Sequence, residues 1–204
     1  MTRPGGKPSE DGSALSDDFS DSQPGLQWQF FKDYDPARIN LTDGSLVMKA
    51  QGNSFAESSP ILVNAADHSY EVIVEFDIDP GVIGGLTMFY DQNANARIAV
   101  DNNRFTVYNQ QARKISVNNE LGSHGFLRIL NDEHEVSFYY SADGKDWNRV
   151  ERTLEMSGFH HNVFGQFLSL RAGLYAFGEG NVRFDNFTYR PLSGTLTNDS
   201  NLAN

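Results

Sequence analysis

The chain has 204 residues, no Cys, and 27 acidic against 16 basic side chains, for a formal net charge of −11. That length suits one domain of the common ~100–200-residue size, and 39% hydrophobic residues with 15 Phe, 8 Tyr and 2 Trp exclude a disordered chain. The lack of Cys excludes disulfide frameworks, thiolate metal sites and cysteine nucleophiles, and the acidic balance argues against nucleic-acid and membrane partners, which rely on clustered Lys and Arg.

Residues 1–14 hold Pro4, Gly5, Gly6, Pro8 and Gly12 among polar neighbours and read as linker or tail. They contain no apolar stretch of signal-peptide type, and location is left open. From Leu15 to Leu192 the apolar period is two, with frequent turn residues and no long helical spacing, which predicts an all-β domain over 15–192. In Ser69–Asp79 the apolar Tyr70, Val72, Val74, Phe76 and Ile78 alternate with Glu71, Ile73, Glu75, Asp77 and Asp79, giving one core face and one solvated face. The same alternation runs through Leu46/Met48/Ala50, Leu86/Met88/Tyr90, Ala96/Ile98/Val100, Phe105/Val107 and Val136/Phe138/Tyr140. Asn131-Asp132 is expected to turn the chain into His134–Ser141, and Asp143-Gly144 to close the hairpin to Asp146–Val150. In Val182–Arg190 the parity changes from Val182/Phe184 to Phe187/Tyr189, which predicts a bulge near Asp185-Asn186. Residues 193–204 again read as a tail. About a dozen short strands without crossover helices point to a jelly-roll β-sandwich of two antiparallel sheets.

Four groups of residues bear on function. Glu71, Glu75 and Asp77 would share a strand face, as paired carboxylates of sandwich-fold glucanases do, although a charged outer face is common on any amphipathic strand. Asp18 near the start and Asp185 near the end could meet if the first and last segments pair, and with backbone carbonyls they would suit one structural Ca²⁺. The stretch Met156–Gln166 joins Phe159, His160, His161, Asn162 and Phe164 with flanking Gly; aromatic rings stack on pyranose C–H faces while His and Asn bond hydroxyls. Tyr108 and Tyr139 fall opposite their neighbours' apolar positions and are candidate platforms on a sheet face, with Tyr90 a weaker third. Trp28 and Trp147 read as core or rim packing.

The order DDFSDSQPGLQWQFFKDYD, DGSLVMKAQG with SSPIL, DHSYEVIVEFDID, GFLRILNDEHEVSFYYSADGKDW and SGFHHNVFGQFLSLRAGLYAFGEGNVRFDNFTYRPL resembles the C-terminal β-sandwich of family 43 glycoside hydrolase β-xylosidases. Related sandwiches are classed as carbohydrate-binding module family 91. The resemblance implies a concanavalin-like jelly roll, a partnership with a catalytic glycoside hydrolase domain, and recognition of xylan or xylo-oligosaccharides. It also implies no catalysis by this chain alone, because the family's catalytic carboxylates lie in an N-terminal propeller that has no counterpart here. In full-length relatives a sandwich loop brings an aromatic side chain to the propeller's pocket. The matching stretch is Ser157–Gly165, with Phe159 or Phe164 as that aromatic and His160, His161 and Asn162 in support. A xylan-binding module and a structural domain that buttresses a propeller are therefore both expected readings.

Overall fold

A computed structural model describes residues 15–192 except 33 and 167; the stretches read as tails, 1–14 and 193–204, lie outside the described residues. Fourteen strands follow in chain order: β1 (Gln29–Phe30), β2 (Ile39–Thr42), β3 (Ser45–Lys49), β4 (Ile61–Asn64), β5 (Ser69–Ile78), β6 (Val82–Phe89), β7 (Asn95–Val100), β8 (Arg104–Asn109), β9 (Ala112–Asn118), β10 (His124–Asp132), β11 (Glu135–Ser141), β12 (Asn148–Glu155), β13 (Arg171–Gly178) and β14 (Asn181–Pro191). A single helical turn, α1 (His161–Phe164), interrupts them before β13. The strands form two antiparallel seven-stranded sheets, β1-β4-β13-β6-β7-β8-β9 (sheet I) and β12-β11-β10-β5-β14-β3-β2 (sheet II). The expected concanavalin-like sandwich is what the chain adopts.

The period of two places the core between the sheets. Sheet II contributes Tyr70, Val72, Val74, Phe76, Ile78, Leu127, Ile129, Phe138 and Phe184, and sheet I answers with Leu86, Met88, Ile98, Val100, Phe105 and Leu174, all buried. Each such side chain contributes roughly 1.5–3 kcal/mol on burial, and rings add oriented contacts: Phe105 stacks on Tyr140 at 4.2 Å and Tyr70 on Tyr189 at 4.8 Å. Trp28 is buried against Phe187 at 4.8 Å, and its Nε1–H donates to Asp17 Oδ2 at 2.7 Å. The Asp17 N–H donates to the Phe187 carbonyl, so the first segment does meet the last strand.

The bulge is where parity placed it: the β14–β5 register shifts between Asp185 and Thr188, and Asn186 has φ 51°. The turn before β11 is not. β10 and β11 pair through Asp132↔Glu135, so Glu133 and His134, both with positive φ, make the turn two residues later than expected. Asn131 supports that turn instead, its Oδ1 accepting the His134 N–H. In the β11–β12 turn Gly144 takes φ 70°, and Asp143 Oδ1 accepts the Lys145 and Asp146 N–H groups. Those bonds, led by the Asp146 amide, hold the exposed Asp143 carboxyl below its ordinary pKa.

The outer faces differ. On sheet I, Phe31 and the 3₁₀ turn Phe55–Glu57 fold over Phe89, Ala99 and Tyr175 as a second apolar cluster. β6 and β7 are consequently buried on both faces. On sheet II the outer residues form the surface described below.

Burial raises the hydroxyl pKa of Tyr70, Tyr175 and Tyr189 above the ordinary tyrosine value. Above about pH 10 the unfolded chain loses tyrosine protons that the folded chain keeps, so stability falls as pH rises, by up to about 1.4 kcal/mol per pH unit for each ring. Urea unfolding at about pH 8 and about pH 11 checks this: a lower midpoint at the higher pH is expected, and equal midpoints would contradict it.

Candidate functional site

Alternation on β10, β11 and β5 brings Arg128, Tyr139 and Ile73 into one outward row, Arg128 standing opposite both of the others. The Arg128 guanidinium carbon lies 5.0 Å from the Tyr139 ring centroid and 5.6 Å from that of Trp147, which returns over the face from the β11–β12 turn. Phe126, two residues before Arg128, is half-buried on the same face and packs beside Gly144 and His124. Two half-exposed rings thus lie against one guanidinium, with Phe126 further along the same face.

What holds that guanidinium corrects an expectation. Glu71 belongs to the outer row of β5, yet it has no exposed surface. Arg128 Nη2 reaches its Oε2 at 2.7 Å, and Arg190 from β14 pairs with Oε1. A desolvated carboxylate needs such partners, and this one is sealed beneath them. It is therefore no candidate for acid or base chemistry. Glu75 lies 3.7 Å from His124 Nε2 and Asp77 is exposed, so the three carboxylates do not act as a set.

The other expected site residues separate into groups. Phe159 and Phe164 meet edge to face at 5.6 Å; Phe159 packs on the main core, and Phe164 lies 6.2 Å from Tyr90. Both are half-buried, so they plug the loop rather than project from it. His160 caps α1, its Nδ1 accepting the Asn162 N–H. The exposed tip is His161, Asn162 and Val163, the last 60% exposed. Tyr90 is fully buried, its hydroxyl engaged with the Gly165 and Gln166 carbonyls, and offers no surface platform. Tyr108, half-buried on sheet I, carries Arg97 at 4.4 Å over its ring, with Phe55 on that cation's other flank at 4.1 Å. Asp18 and Asp185 have separate partners. Asp18 is exposed, its pKa lowered by the Ser20 hydroxyl and then by the Ser20 N–H that it accepts, while Asp185 takes the Ser45 hydroxyl and the Arg183 Nε–H. Among the described residues no three His, Cys, Asp or Glu side chains are grouped to hold a metal ion.

Sequence reasoning did not single out Arg128, Phe126 or Val163, and it read Trp147 as core or rim packing. The register of the β10–β11 hairpin, continued outward from Tyr139, would have paired it with Arg128. The return of Trp147 over the face follows from turn geometry, which alternation alone does not predict.

Comparison with known proteins bears on the fold. The family model described as the β-xylosidase C-terminal concanavalin A-like domain matches residues 16–190. The crystal structure of the GH43 BlXynB protein from Bacillus licheniformis is similar with TM-score 0.80 and 20% identity, over 94% of this chain and 41% of that one. A xylan β-1,4-xylosidase from Bacillus halodurans gives 0.77 and 16%, over 93% and 40%. A functionally unknown protein from Saccharomyces cerevisiae gives 0.56 and 10%, over 82% and 98%. The chain spans about two fifths of the length of the two bacterial proteins. A search of curated proteins gave no significant match.

Arg128→Met leaves the buried Glu71 carboxylate with Arg190 alone. The unfolding free energy is expected to drop by about 2–4 kcal/mol, somewhat under the ~3–5 kcal/mol for a buried charge left unpaired, because Arg190 stays with Glu71. Arg149→Met, at an exposed neighbour, should cost less than about 0.5 kcal/mol. Urea unfolding of both variants measures the difference, and equal small losses would show that Glu71 does not depend on Arg128.

Proposed function

Because the chain belongs to the β-xylosidase C-terminal concanavalin A-like domain family, we propose that it is a non-catalytic carbohydrate-binding module for xylan or xylo-oligosaccharides, working alongside a glycoside hydrolase catalytic domain. The observation that carries this reading is the pair of half-exposed rings, Tyr139 and Trp147, that both lie against Arg128 on an outer sheet face. Xylose units lack a hydroxymethyl arm and present flat C–H faces, which half-exposed aromatic rings accept by stacking. A neutral glycan also suits a chain of net charge −11. Holding polysaccharide near a catalytic domain raises its effective concentration without new chemistry, so weak affinity suffices.

A second reading rests on the loop. The projecting tip His161–Val163, with Val163 60% exposed, fits a domain that buttresses a family 43 propeller and lends that tip to its pocket. Phe159 and Phe164 would then brace the loop from inside.

Calorimetric titration with xylohexaose separates the two. Saturable binding is expected, weakened about tenfold or more by Tyr139→Ala or Trp147→Ala, as loss of a stacked ring implies, and unchanged by Val163→Asp. Loss in Val163→Asp alone would move the site to the loop. No heat with xylohexaose or polymeric xylan would leave only the buttress.

A further inference from the structure

The ringed surface continues into a polar cleft on the same face. Along β10 the outward residues run Arg128, Phe126, His124, and they stand opposite Ile73, Glu75 and Asp77 of β5. β14 extends these rows by one strand, with Thr188, Asp185 and Arg183 opposite the same three positions. Between these strands opens a cleft of about 360 Å³ lined by Glu75, Asp77, His124, Arg183, Asp185 and Asn186. The bulge at Asp185 to Thr188 shapes one wall, with Asn186 held at φ 51°. Ser45 and Arg183 fix the Asp185 carboxylate from two sides.

The composition of the cleft points to hydroxyl groups rather than to an ion. Carboxylate acceptors (Glu75, Asp77, Asp185) are interleaved with a guanidinium donor (Arg183), an imidazole (His124) and an amide (Asn186). A sugar hydroxyl both donates and accepts, so it is served by such a mixture, whereas a phosphate would meet three carboxylates. Phe126 joins the cleft to the rings, its ring centroid 6.0 Å from that of His124. From β11 to β14 the distance is three strand spacings, about 14 Å, which is longer than one pyranose ring. A ligand that touches both the rings and the cleft has to be an extended chain crossing the strands.

Resting on the carbohydrate-binding reading, we propose that this cleft is the second half of a glycan groove: a linear xylo-oligosaccharide of several units crosses β11, β10, β5 and β14, stacking on Tyr139, Trp147 and Phe126. Its further units give their hydroxyls to Glu75, Asp77, His124, Arg183 and Asp185. The groove reads the length of a chain, not a single terminal sugar, and the cleft residues set specificity.

The test is a titration series from xylobiose to xylohexaose, with the wild-type chain, the double variant His124→Ala/Asp77→Asn, and Tyr139→Ala. Both cleft positions are exposed, so the double variant is expected to fold normally, which its urea midpoint confirms. The wild type should bind xylohexaose about tenfold tighter than xylobiose. The double variant should lose about that factor for xylohexaose and none for xylobiose, the effect of removing two hydrogen-bonding groups. Tyr139→Ala should weaken both ligands. Equal wild-type affinity for all lengths, or full xylohexaose affinity in the double variant, would overturn the groove while leaving the carbohydrate reading intact. No wild-type binding to any of them would overturn both.

Discussion

The outer surface of sheet II depends on one buried charge. Glu71 sits on the solvent side of β5, yet it has no exposure because Arg128 and Arg190 close over it from the two neighbouring strands. A buried ion pair rarely adds net stability over well-packed apolar side chains; its consequence here is positional. It ties the beginning of β5 to β10 and β14, and it holds the Arg128 guanidinium against Tyr139 and Trp147. On the carbohydrate-binding reading proposed above, rings set by the fold in this way would lower the cost of binding.

The two faces of the sandwich have been given different work. Sheet I is covered on its outer side: Phe31 and Phe55 lie on Phe89 and Tyr175, and Arg97 is clamped between Phe55 and Tyr108. Tyr108 lies at the margin of that covering, half-buried beneath Arg97. Sheet II instead carries rings at one end of its outer rows and mixed polar groups at the other. The Phe159–Phe164 loop shows the same economy at a smaller scale, for its rings close the end of the core and leave only the His161–Val163 tip outside.

Much of this architecture was legible from the residues. Strict alternation in β5 identified its core face, the parity change in β14 located the bulge, and Asp143-Gly144 marked the hairpin whose turn carries Trp147 to Arg128. Alternation reports which side of a sheet a residue faces and says nothing of what later folds over that side. For that reason Glu71 read as solvated, and Tyr90, whose hydroxyl is taken up by the loop carbonyls, could be weighed as a surface platform. The aromatic loop misled in a related way. Its composition suits sugars, but one turn of helix capped by His160 decides that the rings face inward and the aliphatic Val163 outward. Cross-strand partnership of charges was the hardest feature to see, since Glu71, Arg128 and Arg190 are far apart in the chain and meet only once the register of three strands is known.

The proposed groove on sheet II predicts a specific set of residues that respond to xylohexaose. Amide and side-chain NMR spectra recorded during addition of xylohexaose identify that set directly. Shifts gathered on Phe126, Arg128, Tyr139, Trp147, His124 and Asp77 are the predicted result. Shifts gathered on His161, Asn162 and Val163, or none anywhere, would contradict it.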